Sequence, residues 1–211
     1  AALIINYNMP ERANALGERI RWLPDCDLYV IDNGSDIAPP SLFTNVHIPE
    51  NVQTTRGWLA GLEAADKTGE YDYYWFLITS ADIPRHIDDP LSPMVEIMED
   101  DWWTVGVHPA LTKDSTTAWT HLITRGGDLP RRTWMIDNIA SLYRADWFDS
   151  IGRFDPDLIY GWGIDVETCW KARRQGRSLW VDERVRMRKV TDIGYKMNRM
   201  NMIAEDRRLK A

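Results

Sequence analysis

Carboxylates and turn residues stand at several places in this chain where they could serve a bound ligand. Asp165 opens a segment in which Asp165, Cys169 and Ala172 recur at helical spacing, Glu167 and Lys171 stand four apart, and Gly176 supplies a stop. A helix beginning at Asp165 sets that carboxylate at its positive N-terminal end. The loop above it, where Gly161 and Gly163 flank Trp162, lets backbone approach a ligand closely. The alternative is that Asp165 caps the helix and Glu167 is first-turn charge compensation. A second acidic cluster, Asp32 and Asp36, brackets Asn33, Gly34 and Ser35. A third carboxylate, Asp82, follows Thr79, Ser80 and Ala81; ahead of Pro84 it reads either as a turn former or as a ligand contact.

These groups need elements to hold them. Leu3, Ile4 and Ile5 make a short buried strand ending at Asn6, Tyr7 and Asn8. Pro10 suits the first turn of a helix that runs to about Arg21, with Ala13, Leu16 and Ile20 on one face. A second strand, residues 28–31, runs into the Asp32–Asp36 tip. Strand, helix and strand within some thirty residues form a βαβ unit, hence a parallel sheet with a right-handed crossover. Ligands of open α/β sheets bind beyond the carboxyl ends of the strands, which is where Asn6, Tyr7, Asn8 and the Asp32 tip fall.

Further on, residues 46–48 read as a third strand and residues 56–67 as a helix burying Trp58, Leu59, Leu62 and Ala65, with Gly57 and Gly61 allowing close approach. The continuously apolar run 73–78 reads as a central strand that ends at Asp82. Expected after it are a helix at 93–98, a strand at 103–107, a long polar loop over 108–130 holding His108 and His121, a strand within 133–140, a short helix at 145–150 and a strand at 178–181. A charged, methionine-rich tail, about 193–209, reads as an outer helix. No repeat or linker divides the chain, so one domain is expected.

Composition narrows the function. The chain has 211 residues, 44% hydrophobic and 27% charged, which suits one soluble domain. No apolar run approaches the length of a membrane span, and the N-terminus lacks a signal-peptide pattern. Cys26 and Cys169 make neither a disulfide framework nor a metal cluster, and the simplest compartment is a reducing cytoplasm. A net charge of −7 argues against a long nucleic acid as partner, and a polyanionic small ligand would need arginines, helix N-termini or a divalent cation. Among 11 tryptophans, most are expected in the core; Trp58, Trp102 and Trp162, beside Gly or Asp, are candidates to stack on a sugar.

Four pieces fall in one order: residues 4–8, residues 30–36, residues 76–82, and Gly152 to Asp155 followed by residues 164–176. Over roughly residues 3 to 185 the chain resembles the family 2 glycosyltransferases. The resemblance implies a single-domain α/β GT-A fold, Rossmann-like, with a mostly parallel sheet and flanking helices. It would divide into a nucleotide-sugar part at about 1–107, an acceptor part at about 108–185 and a helical tail at about 186–211. It further implies a sugar carried from a nucleotide donor, UDP-sugar favoured, to an acceptor that contains carbohydrate, by a hexosyltransferase.

By the same resemblance Asn6, Tyr7 and Asn8 would line the nucleotide pocket and Asp32 would bind the base, often uracil. Ser80, Ala81 and Asp82 match the DxD motif, Asp82 holding Mn2+ or Mg2+ against the donor diphosphate. Asp165 matches the general base that deprotonates an acceptor hydroxyl. Asp155, Trp162 and Gly163 would shape the acceptor side, and Arg56 is a candidate phosphate contact whose alternative is a solvent-exposed start of a helix. The chain departs from the family pattern at three places. The first DxD carboxylate is Ser80; no histidine follows the last strand, leaving Asp192 or His86 as stand-ins; and the usual Asn-x-Gly segment is Asn51, Val52 and Gln53. A nucleotidyltransferase would want a glycine-rich basic loop after the first strand, where only Arg12 is offered. A noncatalytic carbohydrate-binding module remains the third reading.

Overall fold

The structure, a computed structural model, describes residues 1–190. Its first four strands and two helices follow from the apolar spacing just given. Strand β1 (Ala2–Asn6) is buried along its whole length, and α1 (Pro10–Ile20) begins on proline, whose fixed φ and missing N–H suit a helix start. β2 (Leu28–Asn33) and β3 (Thr44–Ile48) add in parallel on one side of β1. After α2 (Gln53–Asp66) the chain crosses back to place β4 (Tyr73–Ile78) in parallel on the other side of β1. The strand order therefore reverses between β1 and β4, which puts a crevice at the carboxyl ends of these strands.

The second half completes a mixed sheet in the order β3-β2-β1-β4-β8-β6-β9-β5, with β7 paired to β9. The remaining elements are β5 (Ala81–Asp82), α3 (Ser92–Asp100), β6 (Thr104–Leu111), a 3₁₀ turn (Thr120–Leu122), β7 (Arg131–Thr133), β8 (Leu142–Arg144), α4 (Ala145–Ser150), α5 (Ile164–Arg174) and β9 (Ser178–Lys189). Strand residues alternate between two cores. Ala2, Ile4, Val30, Trp75 and Leu77 face α1 and α3, whereas Leu3, Ile5, Ile31 and Phe76 face α2, α4 and α5. Helix α2 lies close on the sheet because Gly57 and Gly61 present no Cβ; one added at either position would come within 2.6 Å of Ile5 or Ile31. Replacing the fully buried Leu62 of α2 by alanine would cost about 2–5 kcal/mol in lost packing.

Several expected boundaries shift for identifiable reasons. The polar stretch expected as a loop from residue 108 begins only after Leu111, because β6 runs on past Pro109 by shifting register between Pro109 and Ala110. The strand expected within 133–140 stops at Thr133. Met135, Ile136, Ile139 and Ala140 are buried nonetheless, in a turn whose ends lie on β4: Ile78 N donates to Ile139 O at 3.1 Å and Phe76 N to Ser141 O at 2.8 Å. β9 is far longer than 178–181, since its charged second half pairs with β6 and with β5, so residues 186–189 are strand where a helical tail was expected to start. The expected helix at 193–209 lies outside the described residues.

Candidate active site

The carboxyl ends of β1 and β2 form one cross-linked tip. Asp32 sits between Asn6 and His47 in the parallel register and is fully buried. Its Oδ1 accepts from Asn6 Nδ2 at 3.2 Å and from Ser35 Oγ at 2.6 Å. Its Oδ2 is buried without a hydrogen-bond donor and lies 3.4 Å from Nδ1 of the exposed His47. Asn8, held at φ 58°, accepts on its side-chain oxygen from the backbone N–H groups of Asp36, Ile37 and Ala38 at 2.9–3.1 Å. Asn8 Nδ2 and the Tyr7 hydroxyl donate to Asp36, and these bonds, Asn8's first, hold the Asp36 carboxyl below the usual range. Gly34 is required here: its φ is 68°, and a Cβ would lie 2.2 Å from the Glu50 carbonyl carbon. The tip also reaches α2, since Asn33 Nδ2 donates to Asn51 Oδ1 and Gln53 O, and Val52 N donates to Asn33 Oδ1. Thus Asn51, Val52 and Gln53, although no glycine stands among them, brace the strand end.

Asp82 lies on β5, not in a simple turn. It is exposed and stands opposite Arg188 of β9, while buried Ala81 stands opposite Lys189 and Ser80 O accepts from Val190 N at 2.9 Å. Among the described residues no group of three or more His, Cys, Asp or Glu is arranged to hold a metal. His86 is exposed, and Asp192 is outside the described residues.

The cap of α5 is Gly163, at φ 87°, so the capping alternative for Asp165 is not what is found. Asp165 is the second helical residue, 8% exposed, with Oδ1 accepting from Val166 N at 2.8 Å; the Glu167–Lys171 pair forms at 3.2 Å as its spacing predicts. The loop ahead of α5 is seated by Phe154, whose ring centroid is 4.8 Å from those of Phe76 and Phe148. Asp155 turns the chain there, accepting from Asp157 N at 2.9 Å. Thr55 ties the start of α2 to this loop: its N–H donates to Ile159 O at 3.1 Å and its hydroxyl to Leu158 O. Arg56, next to Thr55, is exposed on the first turn of α2, while Trp162 and Gly163 are half-buried.

Two tryptophans proposed for stacking are elsewhere. Trp58 is core, 2% exposed, against Phe76 and Phe154. Trp102 precedes β6, at the opposite end of the sheet from Asp32, under the Arg144 guanidinium at 4.7 Å.

Sequence reasoning missed Asp137. It lies in the buried turn between β7 and β8, where burial first and the Asp165 charge second push its carboxyl up from 3.8 to about 7, with Lys189 opposing. The only signal available was polar Asp137 and Asn138 interrupting the apolar run from Met135 to Ala140. His108, fully buried on β6, is pushed down to about 4 by burial. Burial likewise pushes the Cys169 thiol up to about 12, which makes it a packing residue and not a nucleophile. The structure thus brings together Asn6, Tyr7, Asn8 and Asp32 at one tip. Asp137 feels the charges of Asp165 and of Lys189, which stands in the strand pair that carries Asp82.

No family model and no curated protein sequence matches this chain. Solved structures do match. GalNAc-T7, crystallised with UDP, GalNAc and Mn2+, superposes with a TM-score of 0.69 at 12% identity, covering 91% of this chain and 44% of that one. The mannosyltransferase PcManGT from Pyrobaculum calidifontis, in complex with GDP-Man and Mn2+, gives 0.67 at 13% identity, covering 100% of this chain and 64% of that one. The chain thus spans less than two thirds of either protein's length. At these identities the likeness shows the fold: α/β, of the GT-A type. Among the described residues no helix is long and apolar enough to cross a membrane.

Proposed function

We propose that this chain is an inverting glycosyltransferase that carries a hexose from a nucleotide-sugar, UDP-sugar favoured, to a hydroxyl of a carbohydrate-containing acceptor. The observation that carries the reading is at the β2 end: a buried Asp32 oxygen with no hydrogen-bond donor, beside a tip braced by Asn6, Tyr7 and Asn8. An anionic acceptor so placed suits the ring N–H of a pyrimidine base. Both solved neighbours carry nucleotides and Mn2+ on the same fold, which supports a donor of this class.

Asp82 fits a divalent cation as a single exposed carboxylate, the pattern of ions that draw their other ligands from water and phosphate oxygens. Such a cation, when bound, would neutralise charge on the donor diphosphate. Arg56 at the start of α2 is a further candidate for that charge. Asp165 accepts the acceptor's proton as its oxygen bonds to the anomeric carbon, and the electron pair of the breaking bond leaves on the diphosphate. Asp155, Trp162 and Gly163 shape the acceptor side of α5. The nucleotide-sugar part is residues 1–107 and the acceptor part 108–185.

Calorimetric titration with UDP, with and without Mn2+, on the parent and on Asp82→Ala, tests the reading. Mn2+-dependent binding that the variant loses supports it. Binding indifferent to both removes the metal assignment. Absence of binding to UDP, GDP and dTDP alike refutes the donor site.

A further inference from the structure

The buried turn between β7 and β8 is fastened to α5 at one atom. Cys169 Sγ accepts from Ile136 N at 3.3 Å and donates to Ile136 O at 3.5 Å. Cys169 is one helical turn beyond Asp165 on the same face, and Asp137 follows Ile136 directly, so this bond ties together the two segments that carry the carboxyl groups, and Asp137 feels the Asp165 charge. The turn is fixed at its other end by Ile139 and Ser141 on β4, and Asn138 accepts from Ser141 Oγ at 2.7 Å and from Tyr143 OH at 3.2 Å. Charged and titratable neighbours come from every side. The Lys189 charge at the end of β9 acts on Asp137, buried His108 of β6 meets the Asp137 backbone and feels His121 and Arg131, and Tyr143 of β8 and Cys169 of α5 feel both carboxylates.

We propose that Asp137 is a positioning residue for acceptor activation: its carboxyl is coupled to that of Asp165 and acts through it, and Asp165 accepts the hydroxyl proton. This rests on the reading of Asp165 as the base. With both groups ionised, mutual repulsion raises the proton affinity of the pair, and Lys189 keeps the doubly charged state accessible. The acceptor O–H bond breaks toward Asp165; its electron pair forms the bond to the anomeric carbon, and the diphosphate departs with the electrons of the old bond. Turnover should therefore rise with pH through the titration of the pair.

The deciding measurement is a carbon-detected NMR titration of the aspartate carboxyls in the free protein, from about pH 3 to 9, on the parent, Asp165→Asn and Asp137→Asn. Asparagine at 165 keeps the acceptor for Val166 N, so the helix start survives. The expected result is a carboxyl titrating near neutrality in the parent that falls by at least about one unit, tenfold in proton affinity, when its partner is neutralised. An Asp137 titration unmoved by Asp165→Asn overturns the pair. This readout needs no turnover, so it stands or falls separately from the glycosyltransferase reading. Where donor consumption is measurable, its acid limb should move down by a similar amount in Asp137→Asn and return in Asp137→Glu. A limb that ignores Asp137 also refutes the proposal.

Discussion

Replacing Asp137 by asparagine should stabilise the protein, and increasingly so as pH rises. The Asp137 carboxyl is pushed up from 3.8 to about 7, so between those values the folded state holds a proton that the unfolded chain has released. Stability therefore falls with rising pH across that window, at about 1.36 kcal/mol per unit, and levels off above about 7. Asparagine carries no such penalty. From about pH 5 to pH 7 the variant should gain roughly 2 kcal/mol on the parent, with little further change to pH 8. Urea unfolding of both proteins at pH 5, 7 and 8 measures this, and the difference between them cancels the titrations of groups that Asp137 does not influence. A stability difference that stays constant with pH would refute the desolvated, charge-opposed setting of the half-buried Asp137.

His108 should act in the opposite direction. Burial lowers it from 6.5 to about 4, so its contribution is present above 6.5 and is lost as pH falls toward 4; His108→Gln should flatten roughly 3 kcal/mol of that slope in acid unfolding. Gly34→Ala forces a side chain into positive φ and into the backbone at Glu50, and should cost at least about 2 kcal/mol, read as a lower melting temperature together with weakened UDP binding. Asp32→Asn should weaken UDP binding at least about tenfold in calorimetry, because a carboxylate oxygen is replaced where the base is proposed to bind; unchanged affinity would remove Asp32 from the donor site.

Much of the proposed donor side could be read from the sequence because it is local. The βαβ unit from Ala2 to Asn33 has regular apolar spacing, a proline at the helix start and a glycine-bearing tip, and each signal lies within a few residues of the element it governs. The α5 start was legible for the same reason, although Gly163 and not Asp165 takes the cap. What stayed hidden depends on contacts across long separations. β9 carries alternating charges that read as surface, yet it is drawn into strand by β6 and by the two residues of β5. Asp137 sits in an apolar run whose burial looks like strand, and only its meeting with Asp165, 28 residues later in the chain (165 − 137), gives it chemistry. Trp58 shows the converse: its glycine neighbour suggested an open face, whereas that glycine serves the packing of α2 on β1.

The strand order also bears on how the chain is made. The parallel unit β3-β2-β1-β4 is complete once Ile78 has been synthesised, but its apolar edge at β4 is closed only when residues 139–144, β8 among them, are delivered. β6 emerges before both of its partners, and β5 waits for the far end of β9. A nascent chain therefore carries the open edge of Tyr73–Ile78 for as long as the ribosome takes to deliver Leu142, an exposure that invites pairing with other chains. The short β8, three residues long, closes that edge together with Ile139 and Ser141 just ahead of it, so folding in the cell should be most sensitive to mutations near Leu142 and Tyr143.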